Sequence, residues 1–195
     1  MRLGVFGGTF DPVHVGHLVA AVNVRHALAL DRVLLVVAAE PWQKVGTRTI
    51  SPAADRLALV AAAVGDVDGL EASDLEIVRG GVSYTADTLS ELRATHGGDV
   101  ELFLVVGGDV AAALDTWERI DVVRRMATLV VVNRPGASVA RLDSTWRVET
   151  VDIPNIEISS SDLRARAADG RPLDYLVPEA AVRCIRERGL YARPR

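Results

Sequence analysis

Short runs of apolar, β-branched residues recur along this chain, separated by longer stretches with helical periodicity. Strand candidates fall at 2–6, 32–38, 70–75, 102–106, 128–132 and 147–151. Helical patterns occupy 17–29, 52–64, 85–95, 117–126, 160–168 and 178–188. Several of the short runs are apolar at nearly every position, as strands covered on both faces must be. Pro52 and Pro178 stand where a first helical turn tolerates proline, and Gly189 follows the last helix as a stop. Strand and helix in strict alternation predict an α/β fold: a Rossmann-like, doubly wound parallel sheet with helices on both faces. The 195 residues, 49% of them apolar, suffice for a two-sided core in one domain, residues 1–195. Such sheets bind ligands beyond the carboxyl ends of their strands, where strand order reverses. The first strand ends at Phe6, so residues 7–17 lie at that rim. Residues 40–51 and 133–145 read as mobile loops, the second with an Arg134-Pro135-Gly136 turn.

The composition removes several functions. A net charge of −4 gives no basic face for nucleic acid. A single cysteine, Cys184, forms no disulfide within the chain, and its apolar helical setting makes it a core residue. The start of the chain carries no signal-peptide pattern, and no apolar run reaches membrane-spanning length. The expectation is a cytoplasmic protein with no membrane or nucleic-acid partner; a homo-oligomer is compatible with it.

The chemistry concentrates in Gly7-Gly8-Thr9-Phe10-Asp11-Pro12-Val13-His14-Val15-Gly16-His17. Two glycines after a buried strand let the backbone turn tightly and approach a ligand. The helix that follows offers unpaired N–H groups and the positive end of its dipole to an anion. His14 and His17, three apart, face one side, and each imidazole can donate to a phosphate oxygen. A glycine turn with two capping or core histidines is the bland reading. Downstream, Ile158-Ser159-Ser160-Ser161-Asp162-Leu163-Arg164 reads as a helix N-cap, and also as a phosphate clamp of hydroxyls, helix start and arginine. Asp109, after a strand ending in Gly107-Gly108, suits a ribose diol or caps the helical turn at 110–114. Trp117 is core or ligand platform. Trp146 is packing, His26 and His96 are ordinary helix residues, and 183–195 is a solvated helix face with a frayed end.

The first segment resembles the signature of the nucleotidyltransferase superfamily with the His-x-Gly-His motif. Within it, Ile158–Arg164 is similar to the Ile-Ser-Ser-Thr-x-Ile-Arg motif of nicotinate mononucleotide adenylyltransferases and related enzymes, with Ser161 for Thr and Leu163 for Ile. Ser83-Tyr84-Thr85-Ala86-Asp87-Thr88-Leu89 after Arg79-Gly80-Gly81 resembles that family's Ser-Tyr-Thr-x-Asp-Thr-Leu block. Gly107-Gly108-Asp109 with Leu114 and Trp117, then Arg134-Pro135-Gly136 and Gly189-Leu190-Tyr191, follow in family order. The resemblance covers essentially the whole chain. It implies that ATP and nicotinate mononucleotide are the substrates, and nicotinate adenine dinucleotide and pyrophosphate the products. ATP would be bound by Gly7, Gly8, Thr9, Phe10, His14, His17, Gly107, Asp109, Ser159, Ser160 and Arg164. The acceptor would be bound by Lys44, Tyr84, Thr85, Trp117 and Arg134. His14, His17, Lys44 and Arg164 would carry catalysis. Mg²⁺ would ride on the ATP phosphates, with no protein ligand assigned. The part from about 158 to 195 would close the ATP site.

One departure stands out. Pro41-Trp42-Gln43-Lys44 occupies the place of the family's Pro-Pro-His-Lys (or Arg), so the cation is kept and the histidine is not. The alternatives are a phosphopantetheine-type or nicotinamide mononucleotide-type transferase, or a non-catalytic nucleotide sensor. A tRNA-charging enzyme would need domains for which the chain has no room.

Overall fold

The computed structural model describes residues 1–41, 49–133 and 143–192. Six strands form one sheet: β1 (Arg2–Gly8), β2 (Arg32–Val37), β3 (Leu70–Ser73), β4 (Glu101–Gly107), β5 (Ala127–Asn133) and β6 (Val148–Asp152). Their order is β3-β2-β1-β4-β5-β6, and every neighbouring pair is parallel. The chain winds outward from β1 to β3, then returns to place β4 on the other side of β1. The reversal lies between β1 and β4, in register from Arg2↔Glu101 to Val5↔Leu104.

The apolar strands are explained by a core on each face. Along β2, Val33, Leu35 and Val37 enter one cluster while Leu34 and Val36 enter the other. On β4, Phe103 and Val105 face one side and Leu102, Leu104 and Val106 the opposite side. This is the two-residue period of a strand with both faces buried. The first face is covered by α1 (Val15–Ala27), α2 (Ala53–Val64), α7 (Ser160–Ala168) and α8 (Glu179–Glu187), and the second chiefly by α4 (Thr85–His96) and α6 (Ile120–Met126). Two short helices, α3 (Leu75–Arg79) and α5 (Gly108–Ala111), complete the set.

Three expectations need adjustment. β3 ends at Ser73 rather than 75; Ser73 Oγ accepts from Leu75 N at 3.4 Å as the chain turns into α3. The helix read over 117–126 begins only at Ile120. Trp117 is extended behind a 3-10 turn, Leu114–Thr116, and Arg119 adopts a left-handed φ of 53°, which a right-handed helix cannot contain. Of the stretch 183–195, the described residues up to 192 are not simply a frayed end. Arg188 pairs with Asp55 on α2 at 2.6 Å, and Leu190 and Tyr191 pack against the core. Trp146 is buried, and Cys184 packs partly buried against the core. Most of loops 40–51 and 133–145, with Trp42, Gln43, Lys44 and Arg134, lies outside the described residues. Among those described, no helix is long and apolar enough to cross a membrane.

Candidate active site

A cleft of about 760 Å³ opens at the carboxyl rim of the sheet, between the ends of β1 and β4. The turn after β1 forms its floor. Phe10 holds a left-handed φ of 49° and is only 2% exposed, so its ring is packed away beneath the turn. That ring lies over Gly8, where an added Cβ would stand 2.7 Å from Phe10 Cζ; no larger residue fits there. It also meets the His17 ring edge-on at 5.0 Å. Phe10 therefore backs a histidine that faces the cleft.

His14 is the N-cap of α1, and its ring stacks on that of His17, centroids 3.7 Å apart at 25°. The His14 backbone N–H donates to His17 Nδ1 at 3.2 Å. With Nδ1 accepting, neutral His17 carries its proton on Nε2, which makes that atom a donor. Gly16 is small for a visible reason: a Cβ there would lie 3.0 Å from Ile158 Cγ2 and 3.1 Å from His14 Nδ1. The histidine pair and the segment leading to α7 thus pack closely across Gly16, where a Cβ would force its neighbours to give way by a few tenths of an ångström.

The first turn of α7 enters the cleft from the facing side. Ser159 Oγ accepts from Asp162 N at 3.1 Å, so the capping reading is correct for Ser159. Ser160 Oγ donates to Pro12 O at 2.9 Å. The Arg164 guanidinium donates to Asp11 O at 2.6 Å and to Ser161 Oγ at 3.0 Å. These contacts hang the start of α7 on the turn that carries the histidines, and all four residues of this group line the cleft. Asp11 is buried at 1% exposure and accepts from Tyr191 Oη at 2.8 Å. Burial first, then the adjacent Asp11 carboxylate, push the Tyr191 phenol above its ordinary value of 10.0.

Arg56 was not singled out by sequence reasoning. It is 1% exposed and donates to Thr9 O at 2.9 Å, Ala39 O at 3.1 Å and Ser51 O at 2.8 Å. One guanidinium thereby ties the turn after β1 to the end of β2 and the entry to α2. The available signal was an arginine inside the apolar pattern of 52–64.

On the β4 side, Gly107 and Asp109 border the cleft. The cap of α5 is Gly107, with Asp109 in the first turn and exposed, so the helix-cap reading of Asp109 is wrong and its carboxylate faces solvent at the rim. Ser83, Thr85, Thr88 and Glu76 line the far end, with Trp117 opposite. Ser83 joins this edge to β2 by accepting from Ala39 N at 2.9 Å and donating its own N–H to Glu40 O at 3.1 Å. Tyr84 caps α4 beside Thr85. Thr88, from the block at 83–89, and Glu76, which sequence reasoning missed, are both buried, and the Thr88 hydroxyl donates to Glu76 Oε1 at 2.6 Å. Trp117 Nε1 is buried with no hydrogen-bond partner, an uncommon state for an indole N–H.

The structure therefore gathers Gly7, Gly8, Thr9, Phe10, His14, His17, Gly107, Asp109, Ser159, Ser160, Arg164, Thr85 and Trp117 around one cavity. Among the described residues, no group of three or more His, Cys, Asp or Glu could hold a metal ion. The donors that line the α1 and α7 end are imidazole, hydroxyl and guanidinium, a set suited to phosphate oxygens.

Residues 5–166 match the family described as cytidylyltransferase-like. A Corynebacterium kroppenstedtii protein named probable nicotinate-nucleotide adenylyltransferase is 42% identical over 193 residues, covering 97% of this chain and 90% of the relative. A Salinispora arenicola protein of the same name is 42% identical over 189 residues, covering 96% and 100%. The fold is similar to that of Plasmodium falciparum nicotinic acid mononucleotide adenylyltransferase complexed with NaAD. The TM-score is 0.78 at 15% identity, over 97% of each chain.

Proposed function

The chain belongs to the cytidylyltransferase-like family, and from that premise we propose that it transfers AMP from ATP to nicotinate mononucleotide, releasing pyrophosphate. The observation that carries this reading is the convergence of two helix starts, with the stacked His14–His17 pair and Arg164, on one cleft at the reversal of strand order. The mononucleotide phosphate attacks the α-phosphorus of ATP in line, and pyrophosphate leaves. That nucleophile is already anionic near neutral pH, so the protein's contribution is positioning and charge stabilisation rather than proton abstraction.

In this scheme His17, through Nε2–H, and His14 donate to phosphate oxygens at the transferring centre. Arg164 and the α7 start at Ser159 and Ser160 receive the β- and γ-phosphates. Gly7, Gly8, Thr9 and Phe10 let main chain approach the nucleotide, and Gly107 and Asp109 take its ribose. Lys44 and Arg134 are assigned to the acceptor phosphate, and Tyr84, Thr85 and Trp117 to the pyridine carboxylate and ring. Mg²⁺ is assigned to the triphosphate, whose charge it would partly neutralise. Residues 158–195 serve as the wall that closes the ATP end. A cytoplasmic setting accompanies this reading.

The test is incubation with ATP, Mg²⁺ and nicotinate mononucleotide, with mass detection of the dinucleotide. Nicotinate adenine dinucleotide is expected. Turnover with phosphopantetheine or nicotinamide mononucleotide but none with nicotinate mononucleotide would replace the acceptor. Nucleotide binding without any product would make the chain a sensor.

A further inference from the structure

We propose that Arg119 and Asp87 act as a positioning clamp that sets the width of the acceptor end of the cleft, an inference that rests on the adenylyltransferase reading. Two segments contribute to the cleft there: the start of α4, through Thr85 next to the cap residue Tyr84, and the extended link, through Trp117. Just behind these lining residues, Asp87 and Arg119 join the two segments by a two-pronged ion pair. Arg119 Nη1 donates to Asp87 Oδ1 at 2.7 Å and Nη2 to Oδ2 at 2.6 Å, the forked geometry that fixes orientation as well as distance. The same guanidinium stands 5.7 Å from the centre of the Tyr84 ring.

The backbone turns sharply at the same residue. Arg119 sits at φ 53°, ψ 42°, a conformation costly for a residue with a side chain, and it caps α6 from there. Two residues earlier is Trp117, whose indole N–H is buried without a partner. Asp87 lies in the first turn of α4, two residues beyond Thr85. At the far end of α4 a separate contact, Arg93 Nη2 to Met126 O at 3.2 Å, already holds α4 against α6. The Arg119–Asp87 pair is therefore not needed to keep the two helices together. Both partners are more than a third exposed, so the pair adds little to folding stability. Its effect is local: it fixes the gap into which a pyridine ring must fit between Trp117 and the α4 start. The Arg119 hydrogen bonds, above all, hold the Asp87 carboxyl below its ordinary range, in keeping with a formed pair.

The experiment is a double-mutant cycle on wild type, Arg119→Ala, Asp87→Ala and the double variant. Thermal melting and the KM for ATP and for nicotinate mononucleotide are measured for each. Each single variant should melt close to wild type, keep KM for ATP within about twofold, and raise KM for the mononucleotide about tenfold, since loss of alignment remote from the chemistry is costly. The double variant should be no worse than either single one, because the two residues act as a unit. Arg119→Lys, which keeps the charge without the fork, should fall between wild type and Arg119→Ala. An unchanged mononucleotide KM, equal rises for both substrates, or effects that multiply in the double variant would each overturn the clamp. If wild type itself forms no dinucleotide from nicotinate mononucleotide, the fault lies with the acceptor assignment, whereas an active wild type with indifferent variants refutes the clamp alone.

Discussion

At the phosphate end of the cleft, the side chains rest on main chain and on the core. His17 is oriented by a backbone N–H and an edge-on phenylalanine, and Arg164 and Ser160 are seated on the carbonyls of Asp11 and Pro12. At the end proposed for the acceptor, the two segments are joined by a solvent-facing ion pair, and the Trp117 indole N–H is buried without a partner. The first arrangement is preorganised and resists change, as stabilisation of developing charge requires. The second can shift at small cost, which suits the part of a site that selects among acceptors. The transfer step should therefore be brittle to substitution and the acceptor preference adjustable.

The sharpest way to break that contrast is His17→Ala. Losing one preorganised donor should cost about 10²–10³ in kcat with the fold retained, judged by circular dichroism and a pyrophosphate-release assay. A folded variant with near-normal kcat would mean that the phosphate end is not where catalysis resides. Next in size is Arg164→Ala, which removes a charge-assisted contact worth roughly 1.5–3 kcal/mol. It should raise KM for ATP by about tenfold or more while sparing the mononucleotide; a defect confined to the acceptor would reverse the assignment of the two ends.

The acceptor end is probed by comparing mononucleotides. In the proposed site, backbone N–H groups at Tyr84-Thr85 and near Trp117 would pair with a carboxylate but not with an amide NH₂. Wild type should prefer nicotinate over nicotinamide mononucleotide by at least about tenfold in kcat/KM. Trp117→Ala should lower efficiency with both acceptors by an amount matching a stacking contact of about 0.5–2 kcal/mol, leaving the ratio largely intact. Equal efficiency of wild type with the two acceptors would refute the carboxylate pocket.

The smallest effect concerns Tyr191, whose phenol donates to buried Asp11. Tyr191→Phe should lose about 1 kcal/mol, a fall in Tm of about 2–4 °C. Because burial shifts this phenol's ionisation in the folded state to higher pH, its contribution is complete below pH 10.0 and declines above it, as the unfolded chain ionises first. The stability gap between wild type and Tyr191→Phe should therefore shrink as pH rises past that point. A constant gap would show that the phenol is not so held.

Legibility followed the range of the interactions. Val33–Val37 announces a two-face strand because each residue reports its own burial, and the Gly7–His17 segment announces its site because its donors are contiguous. The link around Trp117 misled, since Trp117, Ile120 and Val123 keep helical spacing while the left-handed Arg119 breaks the helix before Ile120. Asp109 invited a cap reading that the backbone had already assigned to Gly107. Arg56 with Thr9, and Tyr191 with Asp11, are joined across 47 and 180 residues, and no local pattern encodes such pairings.

Gly7, Gly107 and Gly108 border the cleft, and a Cβ built on any of them would meet no protein atom within 4 Å. Gly107 has φ −74° and Gly108 lies in α5, so neither needs glycine for its backbone. In the proposed reaction the space beside them is where the nucleotide would pack, so the molecule would act as a mould whose last packing layer arrives with its cargo. A single methyl at Gly107 would leave the apo protein as robust as before yet deny the cargo its seat. Added nucleotide would then protect the natural protein from heat and leave the Gly107→Ala variant unprotected.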